Sequence, residues 1–331
     1  RTQPDTGLAG ALLQCHAQAF GLAGQDRLTG PPGKPRVRGD GIGLTAERGE
    51  RHGRWHSHRI LRESPPPVTT GQMRLQPVPA FEDNIIWLLR DAAGRAVVVD
   101  PGEAAPVLDA LAGAPPPHAI LLTHHHNDHI GGVLELLQHW PGVPVIGARD
   151  ERIATVTHHV GDGDHIEAGP WRFNVIEIPG HTRSHVAFHG HDLDGTGLLF
   201  CGDTLFSLGC GRMFEGTPAQ MHASLQRLAA LPGETLVCCG HEYTLANAAF
   251  ATTVDPANPA LRERAIEVRR LREAGLPSLP ATLADERACN PFLRCNDPVV
   301  RAAAERHAGH PLETPVEVFA NLRRWKDDFR G

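Results

Sequence analysis

The chain reads as an α/β protein that ends in a small all-helical region. Three observations predict this class. Between Met73 and Gly240, short apolar runs of strand character alternate with segments of helical period. After Asn258 the strand-like runs give way to repeated helix-start signals. Four of the apolar runs end alike, in Gly or Thr followed by a metal-type residue: Thr123-His124, Gly180-His181, Gly202-Asp203 and Gly240-His241. Loops at strand ends on a rigid sheet are where sites are built.

Residues 1–72 differ from the rest. They hold the turn Gly30-Pro31-Pro32-Gly33, the scattered basic stretch Arg51-His52-Gly53-Arg54-Trp55-His56 and no sustained apolar period, and they end near the stiff Pro65-Pro66-Pro67. A disordered extension, or a stretch outside the natural protein, is expected there. An Arg-rich transit peptide is the alternative, opposed by six acidic residues, Asp5, Asp26, Asp40, Glu47, Glu50 and Glu63.

From Met73 the elements follow in order. Asn84 to Leu89 and Arg95 to Val99 are strands, the second ending at Asp100-Pro101-Gly102. Ala105 to Leu111 is a short helix. Ile120 to Leu122 is a buried strand. Gly131 to Trp140 is helical, with Val133, Leu136 and Leu137 as its apolar stripe. Strands follow at Val143 to Ile146, from Trp171 to Ile178, at Gly197 to Phe200 and from Thr235 to Gly240, with a helix from Met221 to Leu231 before the last. Asn258-Pro259 and Asp297-Pro298 each place an N-cap before proline, and Thr314-Pro315-Val316-Glu317 is a capping box. Residues 73–242 and 243–331 are the two expected folded domains.

The chemistry concentrates at His124-His125-His126-Asn127-Asp128-His129. Period-2 alternation points His124 and His126 to one side, and Asp128 and His129 past the bend face a second point. With the other strand ends, His124, His126 and His181 can hold one metal and Asp128, His129 and His241 a second. Asp203 is left to bridge. Each ion keeps a position for a shared water, as a catalytic site requires. Nitrogen and hard oxygen donors suit zinc, with iron or manganese as alternatives. Two divalent ions outweigh Asp128, Asp203 and one hydroxide by a single positive charge, which favours a bridging hydroxide near neutral pH that attacks a carbonyl. Asp100 and His185 are expected to support the ligands from behind. His125, His158, His159, His165, His189 and His191 read as solvated or locally hydrogen-bonded.

Composition excludes other classes. Hydrophobic content of 41% and charge of 21% belong to a globular protein, the net charge of −6 offers nucleic acid no basic field, and no apolar run would span a membrane. The seven cysteines are odd in number and lack a C-x-x-C pair, which points to reduced thiols and a cytoplasmic location.

The motifs T-H-H-H-N-D-H-I-G-G, P-G-H-T-R-S-H, C-G-D-T-L-F and C-G-H-E-Y-T together resemble the metallo-β-lactamase superfamily. Within it, Gly209-Cys210-Gly211-Arg212-Met213-Phe214-Glu215-Gly216, Tyr243 and the helical C-terminus are similar to the glyoxalase II, or hydroxyacylglutathione hydrolase, family. The resemblance covers Met73 to Gly331. It implies an αββα sandwich followed by a helical glutathione-binding domain. It also implies hydrolysis of an S-(2-hydroxyacyl)glutathione thioester, S-D-lactoylglutathione above all, by a monomer. It places Arg212, Phe214, Tyr243, Arg323 and Lys326 at the substrate and Asn84 beside the ligands. Phe214 and Ile85 stand where members of the family carry Tyr. A lactonase, a β-lactamase, a one-iron persulfide dioxygenase and a non-catalytic metal-binding module are the other readings.

Overall fold

Side-chain alternation along the strands decides the layers. The structure, a computed structural model, describes residues 68–70, 73–193 and 196–330. Strands β1 (Val68–Thr70), β2 (Met73–Ala80), β3 (Asn84–Arg90), β4 (Ala96–Val99), β5 (Ala119–Leu122), β6 (Val145–Ala148) and β7 (His158–Val160) form one sheet in sequence order. Pairing is antiparallel from β1 to β4 and parallel from β4 to β7. Helices α1 (Ala105–Ala110), α2 (Asn127–Ile130) and α3 (Val133–His139) lie in its crossovers. In β3, Ile86 and Leu88 face outward and share a core with Val107, Val133 and Leu136 from those helices. Ile85, Trp87 and Leu89 face inward and join a second, larger core.

The second sheet has the order β15-β14-β11-β10-β9-β8. It is built from β8 (His165–Ala168), β9 (Trp171–Glu177), β10 (Val186–Leu193), β11 (Thr196–Gly202), β14 (Leu236–Cys239) and β15 (Ala281–Thr282). Between β11 and β14 run a tight hairpin, β12 (Leu205–Phe206) with β13 (Gly209–Cys210), and helix α4 (Pro218–Ala229). Phe173, Val175, Phe188 and Phe200 bring this sheet into the same core as Trp87. The Trp87 indole N–H donates to the Cys239 carbonyl at 2.9 Å, a direct bond between the two sheets. The result is the expected αββα sandwich.

The C-terminal region contains α5 (Thr244–Val254), α6 (Pro259–Glu273), α7 (Leu283–Cys289), α8 (Pro298–Ala308) and α9 (Pro315–Asp328). The caps read from the sequence are in place: Asn258, Asp297 and Thr314 each accept a backbone N–H of the turn they open. Two expectations need correction. Val68–Thr70, assigned to the extension, pairs with β2 as an edge strand, so the sheet begins before Met73. Residues 1–67 lie outside the described residues, and so does the expectation about them. The region after residue 243 is not wholly helical, and part of it is continuous with the core of the sandwich. Its β15 extends the second sheet beside β14, and Phe250, Phe292 and Phe319 belong to the same continuous core as Phe200 and Leu225. Cys201, Cys210, Cys238, Cys239, Cys289 and Cys295 are free thiols, all buried, and Cys15 lies outside the described residues.

Candidate active site

The site forms where strands of both sheets end. After β5, the Thr123 N–H and hydroxyl donate to the two Asp100 carboxylate oxygens at 2.8 and 2.7 Å. Asp100 adopts a positive φ of 51° at the end of β4. Its Oδ2 also lies 3.1 Å from His129 Nδ1. One turn of helix, α2, then presents Asp128 and His129. Asn84, at the start of β3, donates to the Asp128 carbonyl and carboxylate at 3.1 and 3.2 Å. Glycine before a site residue is a steric need, as Gly202 and Gly240 illustrate. Gly202 has φ +46°, and a Cβ there would lie 2.3 Å from Thr123 Oγ1. A Cβ on Gly240 would lie 2.6 Å from the His129 ring and 2.7 Å from Asp203 Oδ1.

The seven residues read from the sequence come together as two groups around one carboxylate. His126 Nδ1 lies 3.1 Å from His124 Nε2 and 2.9 Å from His181 Nε2. Asp128, His129 and His241 converge beside them. Asp203 stands between: Oδ1 is 3.3 Å from His129 Nε2, and Oδ2 is 3.3 Å from His241 Nε2 and 3.5 Å from His181 Nε2. His129 Nε2 and Asp203 Oδ1 are buried with no hydrogen-bond partner in the protein. Buried polar atoms are otherwise nearly always paired. Orphaned nitrogen and carboxylate donors aimed at common points fit divalent cations.

The two groups differ in charge. Burial, with help from neighbouring imidazoles, pushes His124 and His181 down and His126 to about 4, so that group consists of neutral rings. Burial opposes protonation of His129 and His241 too, but carboxylates outweigh it there. Asp203 and Asp100 hold His129 well up, and Asp203 and Asp128 lift His241 to about 10. Asp203 itself is kept well below the usual carboxylate range, because His129 and His241 overcome its desolvation. The second group therefore draws positive charge to itself.

Three of the rings are fixed from behind, which sets their tautomers. Asp100 takes His129. The Arg212 carbonyl takes His181 Nδ1 at 2.8 Å. Asp83 lies 2.8 Å from His241 Nδ1, a role the sequence reading missed. The signal for it was its place beside Asn84 at the tip of a hairpin that reaches the site. His185 stacks on His124, donates to the Val186 carbonyl and accepts the Asp203 backbone N–H at 3.2 Å. His125, expected to be solvated or locally hydrogen-bonded, stands 3.7 and 3.8 Å from the carboxylates of Asp150 and Glu215. Arg152 bridges those same carboxylates, so the loop behind His126 is braced by charge.

The cluster lies in a cleft of about 620 Å³ that also meets Phe206, Arg212, Phe214, Tyr243, Asn247, Arg323, Lys326 and Arg330. Tyr243 stacks on His241 at 4.7 Å. Phe214 is 64% exposed and sets its ring edge-on to His126 and His181. Arg212 reaches solvent, with Nε 3.5 Å from Asp327. Lys326 Nζ donates to the Ala246 carbonyl at 3.0 Å and sits over the Phe250 and Phe329 rings. Arg323 departs from the expectation that it and Lys326 share one open basic face. It is only 5% exposed, and its terminal nitrogens are committed to the Cys210 carbonyl at 2.7 Å and Asp327 at 3.1 Å. Helical spacing placed the pair correctly, but β13 covers the Arg323 side of the helix.

A two-sheet sandwich with histidines and aspartates gathered at its strand ends defines the metallo-β-lactamase class, and the pattern of that superfamily matches residues 84–241. Among solved structures, the BLEG-1 B3 metallo-beta-lactamase shares the fold at TM-score 0.50 and 24% identity, over 66% of this chain and 99% of that one. ETHE1 from Myxococcus xanthus does so at TM-score 0.50 and 22% identity, over 77% and 90%. Residues 242–329 match the hydroxyacylglutathione hydrolase C-terminus. A hydroxyacylglutathione hydrolase of Xanthomonas campestris pv. campestris is 60% identical over 78% of this chain and its own entire length. One from Xylella fastidiosa is 57% identical over 78% of this chain and 98% of its own. The chain belongs to the hydroxyacylglutathione hydrolase family of that superfamily.

Proposed function

We propose that the protein hydrolyses the thioester of S-(2-hydroxyacyl)glutathione, with S-D-lactoylglutathione as the leading substrate, releasing the hydroxy acid and glutathione. The observation that carries this reading is the cleft itself. A floor of converging imidazole and carboxylate donors faces a wall with Arg212, Lys326 and Tyr243. The names and near-complete coverage of the Xanthomonas and Xylella relatives support it.

In this reading His124, His126 and His181 would hold one divalent ion and Asp128, His129 and His241 a second, with Asp203, which faces both groups, available to each. Zinc suits the donors, with iron and manganese as alternatives. When bound, such ions supply hydroxide near neutral pH and stabilise an oxyanion. The chain's own residues do the rest. Asp83, Asp100 and the Arg212 carbonyl fix the ligand rings. Asn84 holds Asp128. Phe214 and Phe206 keep the acyl end apolar, and Arg212 and Lys326 meet the carboxylates of the tripeptide. A cytoplasmic monomer is part of the proposal.

The test is thiol release by the purified protein from S-D-lactoylglutathione, run beside a lactone and a β-lactam, with metal content measured on the same sample. Thioester hydrolysis that is lost on chelation and restored by metal is expected. Faster turnover of the lactone or β-lactam, or thioester turnover that survives complete chelation, would refute the reading.

A further inference from the structure

The link between Asp203 and Arg212 is a short hairpin braced by side chains from the C-terminal helices. Among them, Asn290 Nδ2 donates to the Phe206 and Gly209 carbonyls at 3.2 and 2.9 Å. Asn247 Nδ2 donates to the Ser207 carbonyl at 3.0 Å. Glu286 accepts the Ser207 hydroxyl at 2.7 Å, the Leu208 N–H at 2.8 Å and Asn290 Nδ2 at 3.0 Å. Leu208 sits at φ 58°, a region that disfavours a branched residue, and its side chain is buried with Ala248, Ala251 and Leu261 of the helices. The base of the hairpin is closed by Gly211 N–H to the Thr204 carbonyl at 3.1 Å.

Both ends of this hairpin serve the site. Asp203 precedes it, and the Arg212 carbonyl that orients His181 follows it. Glu286 is wholly buried, and burial raises its pKa, so an ionised carboxylate here costs folding free energy rather than supplying it. A group kept at such a cost is better explained by what it holds in place.

We propose that Glu286, with Asn247 and Asn290, is a positioning residue for the metal ligands: it clamps the β12–β13 hairpin and so sets Asp203 and, through the Arg212 carbonyl, His181. The inference rests on the ligand roles given under Proposed function. The helical region then acts on the ligand set as well as on the substrate.

The experiment compares Glu286→Ala, Glu286→Gln and Asn247→Ala with wild type in the metal-loaded protein. Val268→Ala, in the buried face of α6, is the control for lost stability. Metal release to a chelator, Tm, kcat and KM are measured. Partners behind metal ligands are worth about 10–100-fold in metal affinity or activity. Glu286→Ala and Asn247→Ala should release metal at least about tenfold faster and lower kcat by a similar factor, with KM nearly unchanged. Glu286→Gln should restore both, because its carbonyl oxygen can accept from Leu208 and Asn290 and its amide can donate to Ser207. Metal retention like wild type in both alanine variants would overturn the clamp, as would equal metal loss from Val268→Ala at the same Tm. So would a rise in KM at unchanged kcat. If Glu286→Ala does not fold, Asn247→Ala decides alone. Chelator release is read without substrate, so an inactive protein that still shows the release pattern would count against the thioester reading and not against the clamp.

Discussion

At the scale of single residues, Asp203 has the most interactions at risk. Its two oxygens face His129, His181 and His241 within 3.5 Å, so one carboxylate serves both donor groups. Asp203→Asn removes that charge with little change of shape. Metal content should fall and turnover should drop by about 100-fold or more, read by metal analysis and thiol release on one sample. Two ions per chain with near-normal turnover would end the bridging assignment. Lys326 makes a pH prediction. Burial, then Arg323 and Arg212, lower its pKa to about 8. The protonated amine is the form that attracts a carboxylate, so KM should be level in neutral solution and climb as pH rises through about 8. Lys326→Arg should remove that climb, because a guanidinium stays charged there. An unchanged KM profile in Lys326→Arg would show that another group causes it. The convergence of these seven side chains was legible because four strand ends repeat one chemical pattern and H-x-H-x-D-H confines four donors to one bend. Asp83 and Glu286 were not, since a lone acidic residue carries no spacing signal until the fold delivers it to its partner.

At the scale of elements, legibility followed local code. The starts of the helices with proline at N1 and a capping side chain, α6, α8 and α9, were legible to the residue. Helix α5, T-L-A-N-A-A-F-A-T-T-V, went unread because it is apolar on most of its surface and has no side-chain cap. Its helicity comes from burial of Ala248, Phe250, Ala251 and Val254, a tertiary cause. Strand β2 was hidden by Pro77 and Pro79, and β10 by its polar residues. The Thr314 cap yields a prediction at this scale. Thr314 Oγ1 accepts the Glu317 N–H while Glu317 accepts the Thr314 N–H at 3.0 Å. Thr314→Ala should cost about 1 kcal/mol of stability in denaturant melts and leave kcat alone. A fall in kcat at full stability would show that the start of α9 contributes to the cleft.

At the scale of the whole molecule, the expected division at residue 243 is chemical rather than mechanical. The helices supply cleft residues, but their aromatic side chains fill the core of the second sheet. Deleting 243–331 should therefore abolish folding of the remainder, visible as lost near-ultraviolet dichroism and aggregation. A soluble, cooperatively melting fragment would contradict the shared core. At the other end, a chain shortened to begin at Met73 loses the edge strand β1 and should melt at a lower temperature than one that begins at Val68. Equal melting of the two would make β1 dispensable.

The bond from Trp87 to Cys239 has an optical consequence. It crosses the seam between the sheets and ends on the residue before Gly240-His241, so the indole feels any change in how the sheets meet behind the ligands. Its N–H is spent on one carbonyl in a dry interior, a setting that gives blue emission and slow quenching. With Trp55, Trp140, Trp171 and Trp325 replaced by Phe, the colour of the light from Trp87 becomes a gauge of the seam, read in real time as divalent ions are added or chelated.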